Sequence, residues 1–163
     1  MQHVFFTTKG NMKQIHYTES INYEIERTAR AIKLLGVQLF NTLKINISPD
    51  EYCALDVIIN NDNICQRDLA KFLLKDRANT GRVLNSLEQR GFIARYNDTK
   101  NNRLVRKVTL TEKGKTELTN VNSIIEEYLK NQVRPFSEEE IRQVHMTVKK
   151  FRENLEGLLK LNI

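Results

Sequence analysis

The fold is decided by one stretch of the chain, QRDLAKFLLKDRANTGRVLNSLEQRGFIARYNDTKNNRLVRKVTLTEKGK, which is residues 66–115. Its hydrophobic spacing predicts a short helix from about Gln66 to Leu73 and a second helix from about Arg77 to Arg90. Two strands follow, Phe92–Tyr96 and Leu104–Leu110, joined by a polar loop at residues 97–102. Helix, turn, helix and hairpin in this order predict a winged helix-turn-helix, which is a DNA-binding unit.

The same stretch concentrates positive charge. It holds thirteen Lys and Arg residues against five Asp and Glu residues, a net charge of +8, whereas the whole chain carries +6. The remaining residues are therefore slightly acidic. Positive charge confined to one segment is the pattern expected for a surface that binds phosphates. Basic residues scattered over the chain would indicate ordinary solvation, so their localisation favours DNA binding.

The two helices of this unit have predicted inner faces. Apolar residues at helical spacing are expected to face the core, and Asp76 is expected to cap the second helix. The predicted core residues are Leu69, Phe72 and Leu73 in the first helix and Ala78, Val83, Leu84 and Leu87 in the second. Gly81 interrupts the second helix at a cost of ~1 kcal/mol. It either lets the backbone approach DNA closely or is simply tolerated.

The candidate DNA contacts follow from the outward positions of the second helix and from the basic hairpin. Such a helix reaches base edges in the major groove, where Asn can pair with adenine and Arg with guanine. The predicted base-reading residues are Asn79, Arg82 and Asn85, with Thr80 and Ser86 beside them as further DNA contacts. The predicted phosphate contacts are Arg77, Arg95 and Lys107, and Lys100 is expected near the DNA backbone at the wing.

Two helices are predicted before this unit. Apolar residues recur at helical spacing from about Glu19 to Leu43. Ser48 and Pro49 then mark the start of a helix that runs to about Asn60. The core face of this helix is expected to hold Tyr52, Leu55, Ile58 and Ile59. Residues 1–18 are expected to form a flexible arm.

Two helices are also predicted after the hairpin, the first capped by Thr111 and the second opened by a capping box of Ser137 and Glu140. The second carries a heptad seam, namely Ile141, Val144, Val148, Phe151, Leu155 and Leu158. The apolar residues of such a seam pack against a partner helix. That partner is the first helix of the same chain, a helix of the other subunit, or both.

These elements predict a mainly α-helical chain with a small β-wing, in a single compact domain. Residues 19–47 and 111–163 would form a helical dimerisation region, and residues 48–110 the winged helix-turn-helix. A two-fold homodimer also fits a palindromic site on double-stranded DNA.

The sequence resembles the multiple-antibiotic-resistance regulators, the MarR family. The residues that fall at the family's spacing are Leu69, Ala70, Leu73, Asp76, Arg82, Leu87, Glu88, Arg90, Gly91, Arg95, Asp98, Arg103, Leu110, Thr111, Glu112, Lys113 and Gly114. The resemblance implies a dimeric transcription regulator, usually a repressor released by a small ligand or by oxidation. It also implies that Arg103 enters the minor groove, where a narrow A·T tract attracts a guanidinium. At position 101 this chain has Asn where the family usually has Asp.

The resemblance also indicates where an effector would bind. Relatives place phenolic ligands between the helical dimer region and the DNA-binding unit. The candidates for such a pocket, by position, are His16, Tyr17, Arg27 and Tyr52. Cys65, at the start of a helix, is a candidate redox residue, because a helix N-terminus can lower the pKa of a thiol. The alternative is an inert thiol, and Cys53 is expected to pack beside the core.

Other classes of function are disfavoured. The sequence shows no nucleophile–base pair, metal-ligand spacing or Gly-rich phosphate loop, so we expect no enzyme, metal site or cofactor. No apolar run approaches the roughly 18 residues of a membrane helix, and no signal pattern is present, so we expect a cytoplasmic protein. The rival hypothesis is a winged helix that binds proteins without specific DNA binding, which the concentrated charge and the basic wing disfavour.

Overall fold

The computed structural model describes residues 16–61, 63–100, 103–130 and 136–158, and the side chains of Lys100, Arg103 and Leu158 lie outside the described part. The helices are α1 (Ile21–Thr42), α2 (Pro49–Ile59), α3 (Gln66–Phe72), α4 (Arg77–Gln89), α5 (Glu112–Lys130) and α6 (Glu138–Leu158). A 3-10 helix, Tyr17–Glu19, precedes α1, and strands β1 (Ile93–Lys100) and β2 (Arg103–Leu110) follow α4. No described helix is long and apolar enough to cross a membrane. The prediction of a mainly helical fold with a small β-wing is confirmed.

The chain divides into two compact units, Met1–Pro49 and Asp50–Ile163. In the first unit, Ser20 caps α1 by accepting a hydrogen bond from the backbone N–H of Tyr23 at 3.2 Å. Of the predicted arm, residues 1–15 lie outside the described residues, and helical structure begins at Tyr17 rather than at about Glu19. The apolar residues of α1 that remain exposed in this chain are Ile21, Ile32, Leu34, Leu35 and Val37.

The core of the second unit joins the helix-turn-helix to the hairpin. α3 packs against α4 and β2, α4 packs against β1, and α5 packs against β2. The largest fully buried side chains are Leu55, Leu69, Leu84, Leu87, Val108, Val121 and Thr80. Burying one such Leu or Val stabilises the fold by about 1.5–3 kcal/mol, so this cluster fixes α4 against the rest of the unit.

Three residues that were predicted in the core are exposed, namely Ile59, Phe72 and Ala78. Successive helical residues are about 100° apart. In α3 the buried residues are Leu69 and Ala70, and this orientation turns Phe72 outward. In α4, Ala78 lies two residues before the buried Thr80 and so occupies the opposite face.

The hairpin is longer than predicted. β1 and β2 pair antiparallel, with Ile93 opposite Leu110 and Lys100 opposite Arg103. Residues 97–100 therefore belong to the strand, and the predicted six-residue loop is wrong. Polar, turn-forming side chains suggested a loop, but hydrogen bonds to β2 hold this backbone extended. Asn101 and Asn102, between the strands, lie outside the described residues.

The turn between α3 and α4 is built on a residue in the left-handed region. Leu74 has φ 48°. Its N–H donates to the Lys71 carbonyl at 3.1 Å, and the Lys75 N–H donates to the Ala70 carbonyl at 3.0 Å. This is the hydrogen-bond pattern of a Schellman motif, whose left-handed position usually holds Gly. Leu74 is also 60% exposed, so its side chain contributes little burial in return for the strain.

We predict that Leu74→Gly raises the free energy of unfolding by roughly 0.5–1 kcal/mol, because relief of the left-handed strain outweighs the added entropy of the unfolded chain. Leu74→Ala is the control, since Ala keeps the strain. Chemical denaturation of the three proteins measures the difference. A lower stability of Leu74→Gly than of the parent would contradict this account of the turn.

Candidate nucleic-acid interface

The start of α4 is fixed by Asp76. One carboxylate oxygen accepts from the backbone N–H of Asn79 at 2.7 Å, and the other accepts from the Asn79 side-chain amide at 2.5 Å. The backbone hydrogen bond from Asn79 is the main reason that the pKa of Asp76 is lowered. The hydroxyl of Thr80 donates to the Asp76 carbonyl at 2.9 Å. Asp76 is therefore the N-cap, as predicted.

Thr80 was predicted to contact DNA, and the structure contradicts this. Its side chain is fully buried and its hydroxyl is already hydrogen-bonded within the helix. Thr80, Leu84 and Leu87 together mark the inner face of α4. A residue type common on DNA-binding surfaces is here part of the core, because its position on the helix decides its exposure.

The outer face of α4 lies opposite these three residues. At about 100° per residue, it carries Ala78, Arg82, Asn85 and Gln89, all of which are exposed. Asn79 is exposed on the flank of this face. Sequence reasoning missed Ala78 and Gln89, although their helical angles from the predicted core residues Leu84 and Leu87 would have placed both on the opposite face. An Ala methyl group can contact the methyl of thymine, so Ala78 adds an apolar group to a polar surface.

Gly81 lies in the middle of α4. A Cβ at this position would meet only the side-chain nitrogen of Gln66, at 3.9 Å, which is an ordinary contact. Packing within the chain therefore does not require glycine here. The two hypotheses for Gly81, close approach to DNA and simple tolerance, both stand.

Arg95 was predicted to bind phosphate, but its guanidinium is bonded to other side chains of the protein. Its side chain is only 7% exposed and forms an ion pair with Glu88. Nε donates to Glu88 Oε2 at 3.0 Å, and an Nη donates to Asn85 Oδ1 at 2.8 Å. The hydrogen bond from Arg95 is also the main cause of the lowered pKa of Glu88. Arg95 thus connects β1 to α4 and leaves little of its charge on the surface.

Two further residues that were predicted to contact DNA, Lys107 and Ser86, are bonded to carboxylates of the protein. Lys107 Nζ lies 2.5 Å from Asp98 Oδ2 across the hairpin, and this hydrogen bond raises the pKa of Lys107 and lowers that of Asp98. The hydroxyl of Ser86 donates to the buried carboxylate of Glu51 at 2.6 Å, which attaches α4 to α2. Ser86 thus gives its one hydroxyl hydrogen to Glu51, contrary to the predicted DNA contact. Lys107 uses one of its three N–H donors on Asp98, so its phosphate contact stays a prediction.

A basic groove lies beside α4. It has a volume of about 360 Å³, and its lining residues are Cys65, Gln66, Arg67, Arg77, Leu104, Val105 and Arg106. Three guanidinium groups therefore surround one concave surface. Arg77 was predicted, whereas Arg67 and Arg106 were missed as individual residues although they contributed to the charge count. Arg77, Arg82 and Arg106 form no salt bridge with a described residue.

The wing residues Lys100 and Arg103 belong to β1 and β2 by their backbones. Their side chains, and Asn101 as a whole, lie outside the described residues. The predicted minor-groove role of Arg103 therefore stays a prediction. The register places Lys100 and Arg103 opposite one another at the end of the hairpin, next to the turn.

The predicted ligand-pocket residues are divided between the two units. Tyr17 and Arg27 line a cleft of about 320 Å³ in the first unit, together with Tyr23, Glu26 and Arg30. His16 is not among the lining residues, and its ring hydrogen-bonds to the Thr18 hydroxyl at 2.9 Å. Tyr52 belongs to the second unit, where it donates to Asn122 at 2.8 Å. Within the first unit, the structure thus brings together Tyr17 and Arg27 but not His16.

The cysteines also depart from expectation. Cys65 is buried, and its Sγ lies 2.9 Å from a carboxylate oxygen of Asp68. Cys53 was expected to pack beside the core face of its helix, but it is exposed. Desolvation, together with the nearby carboxylates of Asp50 and Asp56, raises the pKa of the Cys53 thiol. Within the described residues no cluster of His, Cys, Asp or Glu could hold a metal ion.

Comparisons with known proteins agree with this geometry. Residues 47–105 match the MarR family. The chain is 29% identical over 133 residues to the uncharacterized HTH-type transcriptional regulator YybA of Bacillus subtilis (strain 168), covering 82% of this chain and 87% of that protein. The crystal structure of the transcriptional regulator SlyA superposes with a TM-score of 0.67 at 27% identity, covering 83% of this chain and 93% of SlyA.

The fold is shared more widely. The S. aureus MepR–DNA complex has a TM-score of 0.67 at 23% identity, covering 86% of this chain and 99% of MepR. A MarR transcriptional regulator from Methanosarcina mazei Go1 has a TM-score of 0.68 at 23% identity. The family match over residues 47–105, the curated relative and the solved structures all fall in one group, the MarR/SlyA type of transcriptional regulators.

Proposed function

We propose that this regulator binds double-stranded DNA sequence-specifically, as a homodimer on a palindromic operator, and represses transcription in the cytoplasm until a small ligand releases it. The observation that carries the proposal is the combination of a groove lined by Arg67, Arg77 and Arg106 at the N-terminal end of α4 with an exposed polar face on the same helix. A DNA-binding surface needs both parts, because phosphate contacts position the protein and base contacts select the sequence.

The dimensions and chemistry of α4 support base recognition. The major groove of B-DNA is about 12 Å wide and admits one α-helix. α4 turns Arg82 and Asn85 outward, with Asn79 on the flank, and these side chains can pair with guanine and adenine. A relative of the same fold, S. aureus MepR, has been solved with DNA. The rival function, a protein-interaction module, gives no reason for three arginines around one groove.

The homodimer is supported by apolar surface that this chain leaves exposed. On α6, Ile141, Val144 and Val148 are 55%, 61% and 45% exposed. They lie on the predicted heptad seam, where exposed apolar residues are covered by a partner helix. α1 also carries a run of exposed apolar residues. A two-fold dimer places two copies of α4 about one DNA turn apart, which is the spacing of a palindromic operator.

Release by a small ligand is supported more than release by oxidation. The cleft of Tyr17, Tyr23, Glu26, Arg27 and Arg30 offers two aromatic rings, 5.5 Å apart, and two guanidinium groups, of which that of Arg30 is already paired with Glu26. This chemistry suits a small aromatic anion. Oxidation requires an accessible thiolate. Cys65 is buried, and the raised pKa of Cys53 keeps that exposed thiol protonated.

Footprinting on the upstream region of its own gene tests the central proposal. We expect protection of an imperfect palindrome whose half-sites are about one helical turn apart, bound by two copies of the chain. A heparin column and a gel shift with the same fragment give the supporting affinity. Protection of a single asymmetric half-site by a monomer would contradict the dimeric mode of binding.

Removal of the groove arginines should change the salt dependence of DNA binding. We expect each of Arg67→Ala, Arg77→Ala and Arg106→Ala to weaken binding to all sequences. Each should also reduce the slope of log K against log salt by about 0.9, which is the loss of one phosphate contact. Fluorescence anisotropy over a salt series measures the slope.

The matched control is Arg142→Ala on α6, since Arg142 is already paired with Glu139 and its loss changes the net charge by the same amount. An equal change of slope in Arg142→Ala would show that net charge, rather than the groove, governs binding.

Thiol labelling tests the rejection of oxidation. In the native protein we expect a thiol reagent to modify Cys53 and not Cys65, as counted by mass spectrometry. Because the Cys53 pKa is raised, its thiolate is scarce at neutral pH, so the labelling rate should rise steeply as the pH increases. Cys53→Ser should abolish native labelling and Cys65→Ser should leave it unchanged. Native labelling of Cys65 at the rate of Cys53 would restore the redox hypothesis.

A further inference from the structure

We infer that the two exposed asparagines of α4 present opposite hydrogen-bonding ends to DNA: Asn79 offers a donor and an acceptor and selects adenine, whereas Asn85 offers donors and selects guanine. The inference rests on the proposed DNA binding. It assigns the base preference to two neighbours, Asp76 and Arg95, which fix the amide orientations.

The orientation of Asn79 follows from its contact with Asp76. An ionised carboxylate can only accept, so the Asn79 atom that lies 2.5 Å from Asp76 Oδ2 must be Nδ2. Asp76 cannot turn away, since its other oxygen caps the Asn79 backbone at 2.7 Å. One side-chain N–H is thereby used, and one N–H and Oδ1 remain. Adenine offers N7 as acceptor and N6–H as donor on its major-groove edge, which this pair matches.

The orientation of Asn85 is the reverse. A guanidinium can only donate, so the Asn85 atom that lies 2.8 Å from the Arg95 Nη must be Oδ1. Arg95 is itself held by Glu88 and is only 7% exposed, so it is a fixed neighbour. The amide oxygen of Asn85 therefore faces the protein, and its two N–H donors face away.

An Asn85 side chain that presents only N–H donors favours some bases over others in the major groove. Guanine presents two acceptors, N7 and O6, in the major groove, whereas thymine presents one, O4, beside its methyl group. The amino groups of adenine and cytosine would place a donor against the donors of Asn85. Arg95 acts here as a positioning residue, since it lies within the protein and works through Asn85. An unconstrained Asn85 could turn its amide over and accept adenine.

The test is selection of bound sequences from a half-site library, followed by competition between duplexes that differ at one base pair. With the parent protein, we expect one position per half-site to prefer adenine and another to prefer guanine, each by roughly 10-fold or more over the mismatched bases. Asn79→Ala should relax only the adenine position.

Two variants examine Asn85 directly. Asn85→Asp keeps the contact with Arg95 but presents only acceptors, so the preference at the second position should move from guanine to cytosine, whose N4 amino group donates. Arg95→Lys keeps a positive charge beside Glu88 but lacks the guanidinium fork. The preference for guanine over adenine at that position should then fall to near equality, while the adenine position is unchanged.

Asn120→Asp is the control, since it makes the same chemical change at an exposed residue of α5 and should leave both preferences intact. A thermal unfolding curve shows whether each variant is folded. If Arg95→Lys does not fold, Asn85→Asp alone tests the inference.

Equal weakening of all bases by Asn85→Asp would identify a phosphate contact and overturn the inference. A guanine preference that survives Arg95→Lys would overturn the role of Arg95. If the parent protein shows no sequence preference at all, the proposed function itself fails, and that result is distinct from the other two.

Discussion

The Arg95 guanidinium holds the DNA-binding helix in place. A charged group that is almost fully buried is stable only when it is paired and hydrogen-bonded. Arg95, on β1, meets this condition only if Glu88 and Asn85, on α4, lie beside it. The orientation of α4 about its own axis is therefore tied to the hairpin. The buried leucines of α4 position the helix, and this charged contact adds a directional constraint that apolar packing lacks.

This arrangement divides the basic residues of the hairpin and the helix-turn-helix into two groups. Arg90, Arg95 and Lys107 are paired with carboxylates from neighbouring elements and hold the unit together. Arg67, Arg77 and Arg106 line the groove. The second group, like Arg82 of α4, can exchange solvent for phosphate without first breaking a short ion pair with a described residue. The net charge of the stretch therefore overstates the charge that is available to DNA.

α2 provides a common support for α4 and α5. The buried carboxylate of Glu51 accepts from Ser86 at 2.6 Å and lies 3.4 Å from the guanidinium of Arg90, both at the C-terminal part of the DNA-binding helix. The next residue, Tyr52, donates to Asn122 of α5 at 2.8 Å. Two adjacent side chains of one short helix thus connect the DNA-binding helix to the helix that follows the wing. Displacement of α5 relative to α4 would disturb polar contacts that are partly shielded from water, where they are costly to leave unmade.

The sequence by itself determined which elements form and where they begin, because periodicity, caps such as Asp76 and the capping box of Ser137 and Glu140 are local. It also determined which segment is basic, since charge depends only on residue type. Those predictions were confirmed to within a few residues. It did not determine which polar side chains face DNA. Thr80, Ser86, Arg95 and Lys107 have the residue types of DNA contacts. Ser86, Arg95 and Lys107 are engaged by side chains on other elements, and Thr80 is buried by the packing of α4. The extension of β1 through Lys100 also required the pairing of β2. Tertiary structure decided these points, since burial and the choice of partner depend on residues distant in sequence, whereas a helix or a cap depends on its neighbours.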